Sequence, residues 1–374
     1  MVCRKHAASS LGIVVASALV GWICLPPAQT LLGLHFRVAT GLLRVFERVS
    51  QPVCNISSHS GPAYTKGDWV ERSAGLTNVV LDDVGVAVAL NASAKGRAEI
   101  ENLRRLYKPC ADHARACLWG RLWQGENGSA RVLAAMNWAW KPAACKLSNL
   151  SFETLPAWLQ ARDARLRFFG DSLNDDMAQQ LKCRLANTTG SHKADQLVTS
   201  LRKDTLGANS NEKPTWEEVD IRSTDIFVLN AGAHWFNAEK AAGAFRNVSR
   251  DLWQLPAHRR PQIIIFRTTV MGHEGCEHIF SPLSGEHIAD NIRKSQHRYN
   301  WRSFAFLNSV IVKAFMDVWP VDRFYVLNVS MFEGRGDGHV GFNSPTGSDC
   351  LHYCVPGPAM VWNELLLHVL SQLP

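Results

Sequence analysis

The sequence predicts an α/β domain with a mostly parallel sheet and helices on both of its faces. From Ala164 onward, short continuous apolar runs alternate with longer segments of helical periodicity, as expected of strands that are buried on both faces. Polar residues follow several of these runs, which places them at the carboxyl edge of the sheet, where α/β proteins bind ligands. The predicted strands are 166–169, 225–230, 262–267 and 324–328, and the predicted helices are 174–184, 237–255, 301–318 and 358–373.

The composition is that of a folded protein with a large core. The chain has 374 residues, of which 46% are hydrophobic and 20% charged, so it is neither disordered nor of low complexity. Its formal charge of +7 is not gathered into a long Lys/Arg run. We therefore expect no nucleic-acid partner.

The N-terminal residues predict a membrane anchor followed by a stem. Two basic residues precede an uncharged run whose apolar part has the length of a membrane-spanning helix and stops at Pro26-Pro27. A cleaved signal peptide is the alternative, but no convincing small-x-small cleavage site follows the run. The prediction is a cytosolic tail at 1–6, a signal-anchor transmembrane helix at 7–25 and a stem at 26–53, with the remainder lumenal or extracellular.

Cysteines and glycosylation motifs agree with an oxidising secretory compartment. Eight cysteines lie beyond the anchor, an even number that suits disulfides. Seven Asn-x-Ser/Thr motifs also follow the anchor, as expected of a glycoprotein. The predicted glycosylation sites are Asn55, Asn91, Asn127, Asn149, Asn187, Asn247 and Asn328.

Residues 54–150 predict a small lobe that precedes the catalytic domain at 151–374. The lobe contains four of the cysteines and several tryptophans, among them Trp138 and Trp140. Tryptophans of an extracellular domain can stack on sugar rings, but a small disulfide-stapled lobe also needs large side chains for its core, and core packing is favoured here.

Ser172 is the predicted nucleophile. It follows the first strand within Gly170-Asp-Ser172, and a strand–turn–helix places such a hydroxyl at the edge of the sheet. Helix capping by Asp or Ser is the ordinary alternative. Asp349 and His352 favour the catalytic interpretation over helix capping, because one turn can point both side chains in the same direction. The aspartate can then orient the imidazole, and the imidazole can take the serine proton.

Residues at the ends of two further strands extend the predicted site. Asn230 and Gly232 follow the second strand and are predicted to donate to an oxyanion together with the amide of Ser172, although Asn and Gly also favour simple turns. His234 and Trp235 come next and are predicted substrate contacts.

Arg267 and His339 complete the predicted substrate-binding residues. Arg267 ends the third strand, where it can orient a polar substrate or pair with a buried acid, and His339 is interpreted as a substrate-side or structural residue. The His- and Cys-containing run 272–278 lacks the ligand spacing of zinc sites. No metal is predicted.

Together these motifs resemble the trichome birefringence-like family of plant polysaccharide O-acetyltransferases, part of the PC-esterase and SGNH/GDSL-like group. The resemblance covers residues 54–374 and is most specific near the C-terminus. The matching motifs are Trp138-x-Trp-x-Pro-x-x-Cys145, Gly170-Asp-Ser172-Leu, Asn230 with His234-Trp235, Phe266-Arg267-Thr268, Asp337-Gly-His339, Asp349-Cys-x-His352-x-Cys-x-Pro-Gly357 and Trp362-Asn-Glu-Leu-Leu366.

The resemblance implies an SGNH-hydrolase-like fold and a single-pass type II protein of the Golgi membrane with a lumenal catalytic domain. It implies that Ser172 is acetylated, with His352 as base, Asp349 as its orienting partner and Asn230 as an oxyanion donor. The implied disulfides are Cys54 with Cys145, Cys110 with Cys183, Cys117 with Cys354 and Cys276 with Cys350. The sequence departs from the family at Asp175, where arginine is common.

The expected function is an O-acetyltransferase that acetylates a cell-wall or secreted polysaccharide through an acetyl-serine intermediate. The expected partners are a polysaccharide acceptor and a membrane; no cofactor is expected to be bound, and an acetyl donor such as acetyl-CoA is the co-substrate. A carbohydrate acetylesterase with the same triad is the alternative, because water and a sugar hydroxyl attack the same acyl-enzyme. The third hypothesis is a glycan-binding protein without catalytic activity. The sequence predicts neither the acceptor polymer nor the oligomeric state.

Overall fold

A computed structural model of the protein describes residues 52–56, 62–71, 104–111, 115–117, 132, 134–148, 150–208, 215–217, 219–294, 299–344 and 347–374. Its strands are β1 (Gly67–Glu71), β2 (Trp138–Pro142), β3 (Leu166–Gly170), β4 (Val198–Arg202), β5 (Ile226–Leu229), β6 (Ile263–Arg267), β7 (Phe324–Leu327), β8 (His339–Ser344) and β9 (Gly347–Tyr353). Its α-helices are α1 (Leu155–Ala161), α2 (Ser172–Thr189), α3 (Ser191–Leu197), α4 (Ala238–Gln254), α5 (Gly285–Lys294), α6 (Phe304–Met316) and α7 (Met360–Leu370).

Strands β3 to β7 form a parallel sheet in the spatial order β4-β3-β5-β6-β7. The connections change direction at β3, because β4 pairs on one side of it and β5 on the other. Such a switch point opens a crevice at the carboxyl ends of the strands. The predicted α/β class with a mostly parallel sheet is confirmed.

Alternate residues of the strands enter two separate cores, one on each face of the sheet. Ile226 and Val228 of β5 pack on the face covered by α2 and α7. Phe227 and Leu229 pack on the opposite face, which α4 and α6 cover. Burial of each such side chain stabilises the fold by about 1.5–3 kcal/mol. This two-sided burial explains why β5 is apolar throughout.

The described part of the predicted N-terminal lobe packs beside β7. Strands β1 and β2 form an antiparallel hairpin. The buried hydroxyl of Tyr64 accepts from the backbone N–H of Asn328 at 3.1 Å, and Cys54 belongs to the same hydrophobic core as α7. Accordingly, Pro52–Pro374 is one compact unit.

Four disulfides connect distant parts of this unit. They join Cys54 to Cys145, Cys110 to Cys183, Cys117 to Cys354 and Cys276 to Cys350. These are the four pairs that the family resemblance implies. Two of them hold the segment 350–354, which contains His352.

The N-terminal predictions and some glycosylation sites lie outside the described residues. This applies to the tail, the anchor helix, the stem up to residue 51, and to Asn91, Asn127 and Asn149. Among the residues that are described, no helix combines the length and the apolar character needed to cross a bilayer. The remaining sequon asparagines are exposed, except Asn328, which is half-buried. Glycosylation and anchoring stay predictions.

Candidate active site

Ser172 is the first residue of α2 and follows the end of β3. Gly170 has a φ of +156°, and a Cβ at this position would lie 2.4 Å from the carbonyl oxygen of Asn230, so the turn requires glycine. Asp171 caps the helix, because its carboxylate accepts from the backbone N–H of Leu173 at 3.0 Å. Capping is therefore the role of Asp171, and the hydroxyl of Ser172 is left for another partner.

That partner is His352. The Oγ of Ser172 lies 2.7 Å from Nε2 of His352. On the other side of the ring, Nδ1 lies 2.9 Å from Oδ2 and 3.0 Å from Oδ1 of Asp349. With the Nδ1 proton donated to the carboxylate, Nε2 carries the lone pair that accepts the serine proton. The structure thus brings the three predicted catalytic residues into one hydrogen-bonded chain.

An irregularity in β9 permits the three-residue spacing of Asp349 and His352. Side chains three apart in a regular strand point to opposite faces. In the β8–β9 hairpin, His339 pairs with Tyr353 but Gly341 pairs with Asp349, so two steps along β8 correspond to four along β9. A bulge of this kind redirects side chains. The Asp349 carboxylate also accepts from the backbone N–H of His352 at 3.1 Å, which fixes it beside the ring.

Asp349 remains a carboxylate in this environment. Burial alone would raise its pKa, but the hydrogen bond and the charge of His352, together with the charge of Arg115, outweigh burial and hold the pKa of Asp349 at about 2. Arg115 also donates to Asp176 at 2.6 Å, and the nearby Cys117–Cys354 disulfide attaches its segment to the end of β9. Arg115 lies in none of the sequence motifs and was not among the predicted site residues.

The structure corrects the role predicted for the Asn230 side chain. Asn230 is fully buried, and its amide donates to the carbonyl of Arg267 at 3.0 Å and to Oγ1 of Thr269 at 2.7 Å. Both amide protons are used in linking β5 to the end of β6, so the side chain has no donor left for an oxyanion. The backbone amides of Ser172 and Gly232 stay the predicted donors.

Three predicted substrate contacts are also corrected, since Arg267, His339 and Trp235 are buried. The Arg267 guanidinium lies 4.5 Å from the ring centroid of Trp362, and burial lowers its pKa to about 10. Trp235 packs against Phe245 in the core. These side chains support the site from behind, where a substrate cannot reach them.

His339 supports the backbone of the catalytic histidine. Its Nδ1 lies 3.2 Å from the carbonyl oxygen of His352, and its Nε2 lies 2.7 Å from Nδ1 of His273. Nε2 of His273 is in turn 2.7 Å from the carbonyl oxygen of Glu333. These contacts favour the interpretation of His339 as a structural residue.

His234 is the predicted substrate contact that remains accessible. Its side chain is 30% exposed and its Nε2 lies 3.4 Å from Oδ2 of Asp204. Its ring contacts Tyr299 edge-on. Tyr299 lines the cavity beside His352, so His234 lies one side chain away from it.

The cavity beside His352 has a volume of about 430 Å³. Its side chains are mainly acidic and aromatic, and no Lys or Arg is among the described residues that line it. The side chains with acidic or aromatic groups are Glu274, Glu277, Asp349, Tyr299 and Trp301. The sequence pattern of 272–278 did not indicate that this segment lines a cavity. Cys276 is oxidised to a disulfide with Cys350, so neither sulfur is a thiolate.

Acidification is expected to destabilise the protein through His273. Burial holds the pKa of His273 at about 4, against an ordinary 6.5. Between these values the unfolded chain binds one more proton, so stability that is present above pH 6.5 is lost as the pH falls toward 4. The loss between pH 7 and pH 5 is about 2 kcal/mol. Urea unfolding of the wild type and of His273→Gln measures it, and equal losses in both proteins would contradict the assignment.

The parallel α/β sheet and the four disulfides fit an SGNH-like fold. In agreement, a family model described as PC-Esterase, a GDSL/SGNH-like acyl-esterase family found in Pmr5 and Cas1p, matches residues 243–369. This range contains Asp349 and His352, whereas Ser172 precedes it.

Curated proteins from two plants are similar to a larger part of the chain. Protein trichome birefringence-like 13 of Arabidopsis thaliana is 26% identical over 332 residues, which cover 66% of this chain and 76% of the relative. Xyloglucan O-acetyltransferase 1 of Populus trichocarpa is 23% identical over 337 residues, which cover 68% of this chain and 76% of the relative. The chain is thus similar to these plant proteins, and its residues 243–369 match the PC-Esterase family model.

Proposed function

We propose that the protein is an O-acetyltransferase that acetylates polysaccharide hydroxyls through an acetyl-Ser172 intermediate. The observation that carries the proposal is the 2.7 Å contact between Oγ of Ser172 and Nε2 of His352, with Asp349 on the far side of the ring. The match to the PC-Esterase model and the name of the similar poplar protein support acetyl chemistry on a polysaccharide.

The first half-reaction transfers acetyl from a donor to Ser172. Oγ attacks the acetyl carbonyl while Nε2 of His352 takes the hydroxyl proton, and Asp349 stabilises the imidazolium that forms. The amide of Ser172, at the N-terminus of the 18-residue helix α2, and the amide of Gly232 donate to the developing oxyanion. The bond to the donor then breaks, and its leaving group takes the proton from His352.

The second half-reaction transfers acetyl from Ser172 to a sugar hydroxyl. His352 removes the hydroxyl proton, the sugar oxygen attacks the acetyl carbonyl, and Ser172 leaves and regains the proton from His352. Tyr299 and Trp301 offer rings for a sugar in the cavity beside His352. The acetyl donor, for which acetyl-CoA is a candidate, is consumed as a co-substrate.

The charge of that cavity favours a neutral acceptor. Glu274, Glu277 and Asp349 line it, and carboxylates at short range repel the carboxylates of a polyuronate. A neutral polymer such as xyloglucan, which the poplar relative is named for, meets no such repulsion.

Reversal of one of these charges is expected to relax the preference. In Glu277→Lys, the ratio of polygalacturonate to xyloglucan acetylation should rise about tenfold at low salt, because one repulsive charge becomes attractive. Glu217→Lys, an exposed change outside the cavity, is the matched control. Equal ratios in the two variants would show that the cavity does not select acceptor charge.

A carbohydrate acetylesterase is the second candidate, since the matched family model is described as an acyl-esterase. Water and a sugar hydroxyl attack the same acyl-enzyme, so exclusion of water decides between the two reactions. The test incubates the full-length protein with a radiolabelled acetyl donor and xyloglucan and compares label in the polymer with free acetate. Acetylated polymer supports the transferase, and free acetate alone with every acceptor supports the esterase.

We further propose that the protein works in the Golgi lumen as a single-pass type II membrane protein. The supporting observations are the apolar N-terminal run, the sequons and the four disulfides. Fluorescence microscopy of a tagged protein, combined with protease protection of the tag at each terminus, tests this orientation.

A further inference from the structure

A second cavity, of about 680 Å³, lies between the β1–β2 hairpin and the segments that follow β6 and β7. We name it the tryptophan groove. In the described part of the chain, it shares no lining residue with the cavity beside His352. Its lining combines three tryptophans, Trp69, Trp138 and Trp140, with hydroxyl and carboxyl side chains.

The hairpin places its three tryptophans on one face. Trp69 and Trp140 are directly opposite each other in the β1–β2 register, and Trp138 lies two residues from Trp140 along β2. The indole N–H of Trp69 donates to the carbonyl of Met331 at 3.0 Å, and that of Trp140 donates to the carbonyl of Tyr64 at 2.7 Å. These two rings are fixed before any ligand arrives, so little conformational entropy is lost on binding.

Trp138 differs from its two neighbours. Trp69 and Trp140 pack against the hydrophobic core, so the core-packing interpretation applies to them. Trp138 is half-exposed in the groove, and among the described residues its indole N–H has no hydrogen-bond acceptor. An apolar ring with an available N–H at its edge suits a ligand that carries both C–H faces and hydroxyl groups.

The polar residues of the groove indicate a neutral ligand. Three serine hydroxyls, those of Ser281, Ser284 and Ser330, can donate to and accept from ligand hydroxyls, and the side chains of Asp68 and Glu333 can accept from them. Burial raises the pKa of Glu333. No Lys or Arg is found among the described lining residues that could neutralise an anionic chain. Aromatic rings combined with such short polar side chains match the alternating faces and hydroxyl edges of a sugar chain.

We propose that the tryptophan groove binds a segment of neutral polysaccharide and holds the polymer while another segment reacts at Ser172. The inference rests on the proposed function for the identity of the polymer. The tryptophan groove and the cavity beside His352 are separate. One polymer molecule can therefore contact both, and binding of one segment in the groove raises the effective concentration of a second segment near Ser172.

The test measures binding without turnover. The full-length protein carrying Ser172→Ala is run in native gels that contain xyloglucan, and its retardation gives the affinity. Adding Trp138→Ala should weaken retention roughly three- to tenfold, and Trp138→Phe, which keeps a ring but loses the N–H, should have an intermediate effect. Trp158→Ala is the matched control, because Trp158 is half-buried on α1 beneath Arg162 and outside both cavities.

Turnover separates this inference from the proposed function. In the chain with Ser172 intact, Trp138→Ala should lower the ratio of kcat/KM for xyloglucan to kcat/KM for a short oligosaccharide. Full retention of Trp138→Ala, or an equal loss in Trp158→Ala, would overturn the groove proposal. Binding that depends on Trp138 in a protein that transfers no acetyl would refute the proposed function and leave the groove supported.

Discussion

Replacement of Ser172 by alanine is expected to lower acetyl transfer by roughly 10³- to 10⁶-fold, because it removes the atom that carries the acetyl group between the two half-reactions. The fold should survive, since Ser172 begins α2 but Asp171 supplies the cap. Rates are measured with labelled donor and xyloglucan, and mass spectrometry of donor-treated protein should find the acetyl group on Ser172 in the wild type only.

Ser191→Ala is the matched control for this change. Ser191 is likewise the first residue of a helix, α3, but it is exposed and outside both cavities, so its rate should equal that of the wild type. A Ser172→Ala protein that is folded and transfers acetyl at the wild-type rate would show that no acetyl-serine lies on the pathway. In that case direct transfer or a binding function would have to be considered.

The sequence predicted four of the five strands of the parallel sheet, namely β3, β5, β6 and β7, and missed β4 and the strands of the two hairpins. Strands β5 and β6 are apolar throughout because two cores contact them, so their character is visible without a structure. Edge strand β4 reads Val-Thr-Ser-Leu-Arg, and its three central residues are only half-buried. A strand of mixed polarity at the edge of a sheet does not stand out from a loop.

The candidate site was predictable in its reactive residues but not in its surroundings. The Ser172 and His352 motifs combine residue types whose chemistry is recognisable. Arg267 and Trp235 are buried by residues that are distant in the sequence, so only the tertiary fold shows that they do not face a substrate. The bulge in β9 could not be predicted either, because it arises from the pairing of two strands. The aromatic and acidic side chains beside His352 carry no spacing signal at all.

Asp175 stands where the family that the sequence resembles commonly has arginine, and its contacts show what the aspartate does in this protein. Its carboxylate accepts from the hydroxyl of Ser200 at 2.7 Å, which ties α2 to β4 at the edge of the sheet. Positive charge near the triad comes from Arg115 instead, which bonds the neighbouring Asp176 and acts on Asp349. A different segment of the chain thus supplies a cation to this region.

Asp349→Asn is expected to lower kcat by about 10⁴-fold while leaving Ser172 and His352 in place. An asparagine amide can donate to Nδ1, which would move the imidazole proton to Nε2 and leave no lone pair for the serine proton. Binding of xyloglucan should be unchanged in native gels, which separates a loss of chemistry from a loss of affinity. Nitrogen-detected NMR of the labelled histidine side chain should show the exchanged tautomer directly.

Asp175→Asn is the matched control, since it makes the same substitution at a carboxylate near the N-terminus of α2. It weakens one hydrogen bond to Ser200, so the change in rate should stay below about tenfold. If Asp349→Asn retained most of its activity, or if both variants lost activity equally, Asp349 would not be the group that sets the tautomer of His352. Another residue would then have to orient the His352 ring toward Oγ of Ser172. Arg115, which acts on Asp349, and His339, which contacts the backbone of His352, would be the next residues to substitute.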